Sequence, residues 1–156
     1  MFEKGDNLSD LQVSSVSDIW SAQLEYIDAR CNPAPWTSSL FAREFINPCA
    51  RIRGLFCEAS VIGFLIGHIV FDEAHIVSLG VLPEHRKKGG GQRLLSDFVR
   101  ICQIEGVTRL TLQVRRSNSS ARRLYVRNDF TNFGVRRNYY SDNGEDAITM
   151  GRHVAP

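Results

Sequence analysis

A basic, glycine-rich break between two ordered patterns constrains this chain more than any other feature. An apolar run ends at Leu82. The stretch Arg86-Lys87-Lys88-Gly89-Gly90-Gly91 follows, and a helical pattern starts at once, with Leu94, Leu95, Phe98, Val99 and Cys102 inward at helical spacing. A strand that passes through such a loop straight into a helix belongs to an α/β arrangement. The loop also carries chemistry. Glycines let the backbone approach a ligand and expose its N–H groups, and the start of a helix adds partial positive charge. The unit is therefore a cradle for an anion, phosphate above all.

Spacing narrows the owner of that phosphate. The string Gly-x-x-x-x-Gly-Lys-Ser/Thr of the P-loop is not in the chain, and Gly89, Gly90 and Gly91 do not supply Gly-x-Gly-x-x-Gly. What fits is Arg/Gln-x-x-Gly-x-Gly/Ala, filled by Arg86, Gly89 and Gly91. This resembles the pyrophosphate loop of the GNAT acetyltransferases, which holds acetyl-coenzyme A. The plain alternative is a glycine-rich turn with no ligand.

Length and charge set the outer limits. A chain of 156 residues with 43% hydrophobic residues suits one domain, 1–156, with a proper core. A net charge of +2 is too small to imply nucleic acid, and no direct nucleic-acid readout is expected. The basic residues do cluster, at 86–88, 115–116, 122–123 and 136–137, which suits an anionic cosubstrate, a ribosomal neighbour or a solvated face. Cys31, Cys49, Cys57 and Cys102 form no C-x-x-C pair and no zinc-spaced set, so no metal is expected and the thiols are expected to be reduced. No signal peptide and no membrane-length apolar run is seen, which leads to the expectation of a cytoplasmic protein.

Residues 1–8 are polar and expected to fray. Ser9 or Asp10 caps a predicted helix through about Arg30, with Leu11, Ile19, Leu24 and Ile27 on its apolar side. Asn32-Pro-Ala-Pro35 breaks it, and Thr37 or Ser38 caps a short helix ending before Pro48. Strands are predicted at 51–57, 61–71 and 75–81, with turns at Glu58-Ala-Ser60 and Asp72-Glu73. The glycine-loop helix runs to about Glu105 and Gly106 ends it. A strand at 108–114, a helix from Ser117 or Asn118 to about Arg127, and strands near 130–139 and 145–151 complete a mixed, mostly antiparallel sheet flanked by helices.

A second block begins at Gln113. Asn118 sits at a helix start, where it can cap the helix or contact a ligand amide. Tyr125 lies seven residues on, two turns along, so its hydroxyl returns toward the preceding strand. Singly these are an N-cap and a core aromatic. At these spacings from a glycine loop they resemble the GNAT segment in which the asparagine contacts the coenzyme and the tyrosine protonates the departing thiolate. The block Val135-Arg-Arg-Asn-Tyr-Tyr140 with Glu145-Asp-Ala-Ile-Thr-Met150 is similar to the ribosomal-protein-alanine N-acetyltransferases (the RimI group).

That resemblance implies a GNAT fold, acetyl-CoA as cosubstrate and, as protein partner, a small-subunit ribosomal protein with N-terminal alanine. It places pantetheine and thioester contacts at Leu79, Gly80 and Val81, the pyrophosphate on Lys87, Lys88, Gly89, Gly90, Gly91 and Gln92 with Arg86, and the general acid at Tyr125. The first helix-to-helix loop and the last hairpin would hold the peptide, with Trp36, Tyr139 and Tyr140 as aromatic walls. Glu44, Asp142, Glu145 and Asp146 are candidates to pair with a basic second residue.

Two positions depart from the family pattern. Gly90 stands where an apolar residue is usual, so the first turn should be looser. Asp129 stands where a glycine is usual, and Asp tolerates φ > 0 better than most residues.

The base is a third departure. The RimI group has a glutamate where this chain has Gln113, and an amide cannot accept the proton. Three readings stay open. An α-amine with a pKa near 8 is roughly one-tenth neutral at pH 7, against about 0.04% for a lysine, so water ordered by Gln113 could suffice. His75 could serve as base, an imidazole being chemically apt. Or the chain binds the coenzyme and catalyses weakly. Another N-terminus, a lysine or a small amine are the alternative acceptors.

Overall fold

The structure, a computed structural model, describes residues 10–156. The expected fraying of residues 1–8 and a cap at Ser9 lie outside the described residues. The first described segment departs from expectation: Leu11–Ser15 is a strand, β1, and not the first turns of a helix. It lies antiparallel on β2 (Ala50–Cys57), with Leu11 opposite Cys57 and Ser15 opposite Arg53. Leu11 is buried and Val13 packs on the core, with exposed Gln12 between them, a period of two. The serines that follow compete for backbone hydrogen bonds and do not favour a helix interior. A 3-10 turn, Asp18–Trp20, then leads into α1 (Ser21–Cys31). Leu24 and Ile27 are buried as expected, but Ile19, placed on the same face from sequence, is 81% exposed.

The rest follows the patterning closely. α2 (Ser38–Ile46) begins where Thr37 accepts from the Leu40 N–H at 3.4 Å. β2, β3 (Ser60–Val70) and β4 (Glu73–Val81) form an antiparallel meander. Its second turn is Phe71-Asp72, one residue earlier than predicted, with Phe71 at φ 56°. That shift sets the register, and His68 stands directly opposite His75. α3 (Gly90–Ile104) buries Leu94, Leu95, Phe98 and Cys102 and is closed by Gly106 at φ 76°. β5 (Arg109–Arg115), α4 (Ser119–Arg127), β6 (Thr131–Arg136) and β7 (Ala147–His153) complete the chain. Asp129, between α4 and β6, takes φ 67°, so this position does need the left-handed conformation.

The sheet has seven strands in the order β1-β2-β3-β4-β5-β7-β6. β4 and β5 are parallel, and the other paired strands are antiparallel. Two neighbours on β3 identify the faces. Gly67 lies against Phe98 of α3, and His68 reaches Glu44 of α2. α1 and α2 therefore cover what we term the front face and α3 the back. α4 is joined to α3 by a reciprocal amide pair, Gln92 Nε2 to Asn128 Oδ1 at 2.7 Å and Asn128 Nδ2 to Gln92 Oε1 at 2.8 Å. No helix among the described residues is long and apolar enough to cross a membrane.

Candidate active site

The site begins with a fault in β4. Gly67 pairs with Ile76, but Ile66 pairs with Ser78, so Val77 is an extra residue, a β-bulge. The parallel pairing of β4 with β5 ends at the same level, at Ile76 opposite Leu112. Beyond it β4 continues to Val81 and β5 to Arg115 with no ladder between them. The bend at Val77 thus opens the sheet into a wedge. One lip is the backbone of 77–81, including Leu79, Gly80 and Val81, which stays paired with β3 on one side while its polar groups facing β5 have no strand partner.

At the mouth of the wedge the chain turns through Pro83–His85 and reaches the glycine loop. Lys87 at φ 62° and Gly89 at φ 82° fold the backbone so that α3 starts at Gly90. The first N–H groups of α3 have no intrahelical acceptor and face an anion favourably. The glycines are packing requirements too. A Cβ on Gly90 would come within 2.6 Å of Leu55 Cδ2, and one on Gly91 within 3.3 Å of Leu124 Cδ2. Gly90 therefore corrects the expectation of a looser turn: it is buried and brings the helix closer to the sheet.

Three cofactor candidates have side chains engaged within the protein. Arg86 donates through Nε to the Val81 carbonyl at 2.9 Å and approaches the Cys31 sulfur at 3.4 Å. Its guanidinium braces the strand-to-loop junction. Gln92 is held in the Asn128 amide pair. Asn118 Oδ1 accepts from Ala121 N–H at 3.2 Å, so it is an N-cap of α4. Lys87 is exposed at the loop and Lys88 half-buried.

Tyr125 is buried on α4, with its ring 5.5 Å from that of Phe130. Burial, and secondarily the nearby Tyr140 phenol, push its hydroxyl far up, so the group keeps its proton across the neutral range. Tyr139 and Tyr140 pack edge to face at 5.1 Å, and the Arg115 guanidinium lies 4.0 Å over the Tyr140 ring.

The front face of β5 carries the polar floor. Thr111, Gln113 and Arg115 alternate with the inward Leu110, Leu112 and Val114. His75 on β4 pairs laterally with Thr111, and its Nδ1 lies 3.0 Å from Thr111 Oγ1. Gln113 also hydrogen-bonds the ring. Burial, then the neighbouring His68, lowers the His75 imidazole below its ordinary value, with a further push from Arg136 and an opposing one from Gln113. His75 is therefore neutral at neutral pH and can accept a proton.

On the other side of Val77 lies a front cleft of about 560 Å³, lined by Trp36, Leu40, Arg43, Glu44, Asn47 and Val77. Trp36 is fixed by packing of its ring at 5.3 Å on Phe41 and by its backbone N–H donating to Asp28 Oδ2 at 2.7 Å. The aromatic wall expected from sequence is thus two separate pairs, Trp36 with Phe41 and Tyr139 with Tyr140. The acidic candidates are engaged within the chain: Asp142 and Glu145 with Arg115, Asp146 with Arg116 and Glu44 with His68. Sequence reasoning missed Thr111, His68 and the bulge. Strand alternation could have found Thr111, and the hairpin register His68. The bulge had no signal in the sequence.

The chain matches the model of the acetyltransferase (GNAT) family over residues 21–130. It is 39% identical over 148 residues to the ribosomal protein bS18-alanine N-acetyltransferase of Haemophilus influenzae, covering 91% of this chain and 100% of that protein. Against the Escherichia coli protein of the same name it is 33% identical over 132 residues, 83% of this chain and 88% of that one. The crystal structure of the Escherichia coli ribosomal-protein-S18-alanine N-acetyltransferase superposes with a TM-score of 0.87 at 30% identity, covering 94% of this chain and 95% of that one.

Proposed function

Because the chain belongs to the GNAT acetyltransferase family, we propose that it acetylates the α-amine of an N-terminal alanine on a small-subunit ribosomal protein, with acetyl-CoA as donor. The names of the Haemophilus and Escherichia relatives support this acceptor. One observation carries the reading. The wedge between β4 and β5 opens at Val77, which also lines the front cleft, and the glycine loop stands at the wedge's open end, beyond Val81. A long, phosphate-ended donor and a separate acceptor can therefore approach the same point from two sides.

The residues present fit the donor. Gly90 and Gly91 bring the start of α3 close against Leu55 and Leu124, and the β5-facing edge of β4 beyond the bulge has no strand partner. Acetyl-CoA supplies the acetyl group as a thioester. The N-terminal N–H groups of α3 and Lys87 and Lys88 hold the pyrophosphate. The 79–81 backbone takes the amides of the pantetheine arm and polarises the thioester carbonyl. His75 takes the proton from the amine, with Gln113 and Thr111 holding the ring, and Tyr125 returns a proton to the leaving sulfur. Among the three routes considered for the proton, contact between His75 and Gln113 favours this one: the amide in the glutamate's place orients a base instead of being one.

The test is thiol release from acetyl-CoA with three acceptors: a peptide with N-terminal alanine, the same peptide blocked at its N-terminus but bearing lysine, and a polyamine. Release with the free alanine peptide alone is expected. Release with the lysine peptide or the polyamine instead would replace the acceptor class. Tight coenzyme binding with no release would leave only a binding role.

A further inference from the structure

Resting on the reading of His75 as base, we propose that the Glu44–His68 pair is a positioning device for His75: it fixes one wall of the imidazole's slot and sets the pH range in which His75 accepts a proton. Glu44 Oε2 lies 2.6 Å from His68 Nε2, with side chains 14% and 30% exposed respectively. A carboxylate only accepts, so the ring donates through Nε2, which fixes its orientation. The hairpin register places His68 directly across from His75. Directly opposed residues on one sheet face have Cβ atoms about 5 Å apart, within reach for side chains of this size. On its other flank His75 meets Thr111 Oγ1 at 3.0 Å. The base is thus held between β3 and β5, and β3's contribution is itself anchored to α2.

The charges around His75 give the pair its chemical effect. From β3 comes His68; from β6, Arg136; from β5, the neutral Thr111 and Gln113. From α2 come Glu44 and Arg43, both on the front cleft. Among these, Glu44 is the carboxylate, and it is spent on His68. A proton on His68 opposes one on His75, as does Arg136. His68 therefore favours the neutral, proton-accepting form of its neighbour. A structural staple between α2 and β3 would lack that effect.

His68→Gln separates the two roles, because the amide still donates to Glu44 but cannot carry a proton. Initial rates with acetyl-CoA and the N-terminal alanine peptide are measured from pH 5.5 to 8 in wild type, His68→Gln and His75→Gln. The expected result is an acid limb of kcat/KM that moves to higher pH in His68→Gln, with the loss greatest at pH 5.5 and recovered by pH 8. NMR titration of the His75 ring in His68→Gln should show its midpoint raised, a readout that needs no turnover. An acid limb and midpoint that stay put or fall, with a loss uniform in pH, would overturn the inference. Persistence of the wild-type limb in His75→Gln would sink the base reading itself. A limb absent from His75→Gln but unmoved in His68→Gln would sink only the role of His68.

Discussion

His75 and Thr111 face each other at 3.0 Å across the parallel β4–β5 pair, one register step before that pairing ends. The ring is anchored where the sheet is still closed and stands next to where it opens. His75→Gln keeps a polar group there but removes the proposed base. We expect kcat to fall by about 100-fold, the lower end of what a positioned general base contributes. Coenzyme affinity, measured by calorimetry, should stay within about twofold. Gln113→Ala should cost less, and Gln113→Glu should raise the pH of the acid limb by placing a carboxylate beside the imidazole. An unchanged rate in Gln113→Ala would remove the amide from the mechanism.

Tyr125 holds its proton throughout the neutral range because it is buried. Tyr125→Phe leaves the ring against Phe130 and deletes only the hydroxyl. The expected outcome is a drop in kcat of about 100-fold or more with little change in thermal midpoint. A large stability loss with normal kcat would make Tyr125 a core aromatic and nothing else.

Gly90 tests the coupling of loop to core. Its missing Cβ lies 2.6 Å from Leu55 Cδ2, so Gly90→Leu overpacks a buried seam and should destabilise the fold by about 1–3 kcal/mol. Displacement of the α3 start should also weaken coenzyme binding, read as a higher Kd. Gly90→Ala should show the same signs at smaller size, since the obstacle is the end of one flexible side chain.

Glu145 ties the β6–β7 turn to the start of α4. The Ser117 hydroxyl and N–H hold its carboxyl down at about 2, against an ordinary 4.5. A depressed folded-state value means stability that is present above about pH 4.5 and lost as pH falls toward 2. Glu145→Gln should therefore lower the thermal midpoint at pH 7 and converge with wild type near pH 2. A gap of constant size across that range would mean that the carboxylate's charge plays no part.

Much of this was legible before the structure. The run into Leu82, the glycines and the spacing of Leu94, Leu95, Phe98 and Cys102 specify strand, turn and helix, since each follows from local rules. The helix that carries Tyr125 is likewise read from local spacing, and the structure buries the ring against Phe130. What failed needed long-range information. Leu11–Ser15 is a strand because β2 offers an open edge, which nothing local reveals. The side-chain partners of Arg86 and Gln92, Val81 and Asn128, are likewise visible only in the fold. Placing a turn one residue late concealed the facing of His68 and His75, because pairing in a hairpin is counted outward from the turn.

The extra residue at Val77 has a consequence for how the protein responds to its ligand. A strand edge with unmet backbone groups is a half-built ladder, and a donor arm carrying amides can serve as the missing rungs. Those amide hydrogens of 77–81 that point away from β3, toward the wedge, should exchange quickly in the bare protein and slow sharply once the arm is seated, while those at Glu73–Ile76 change little. The sheet would then be finished by a small molecule, and each turnover would dismantle part of it.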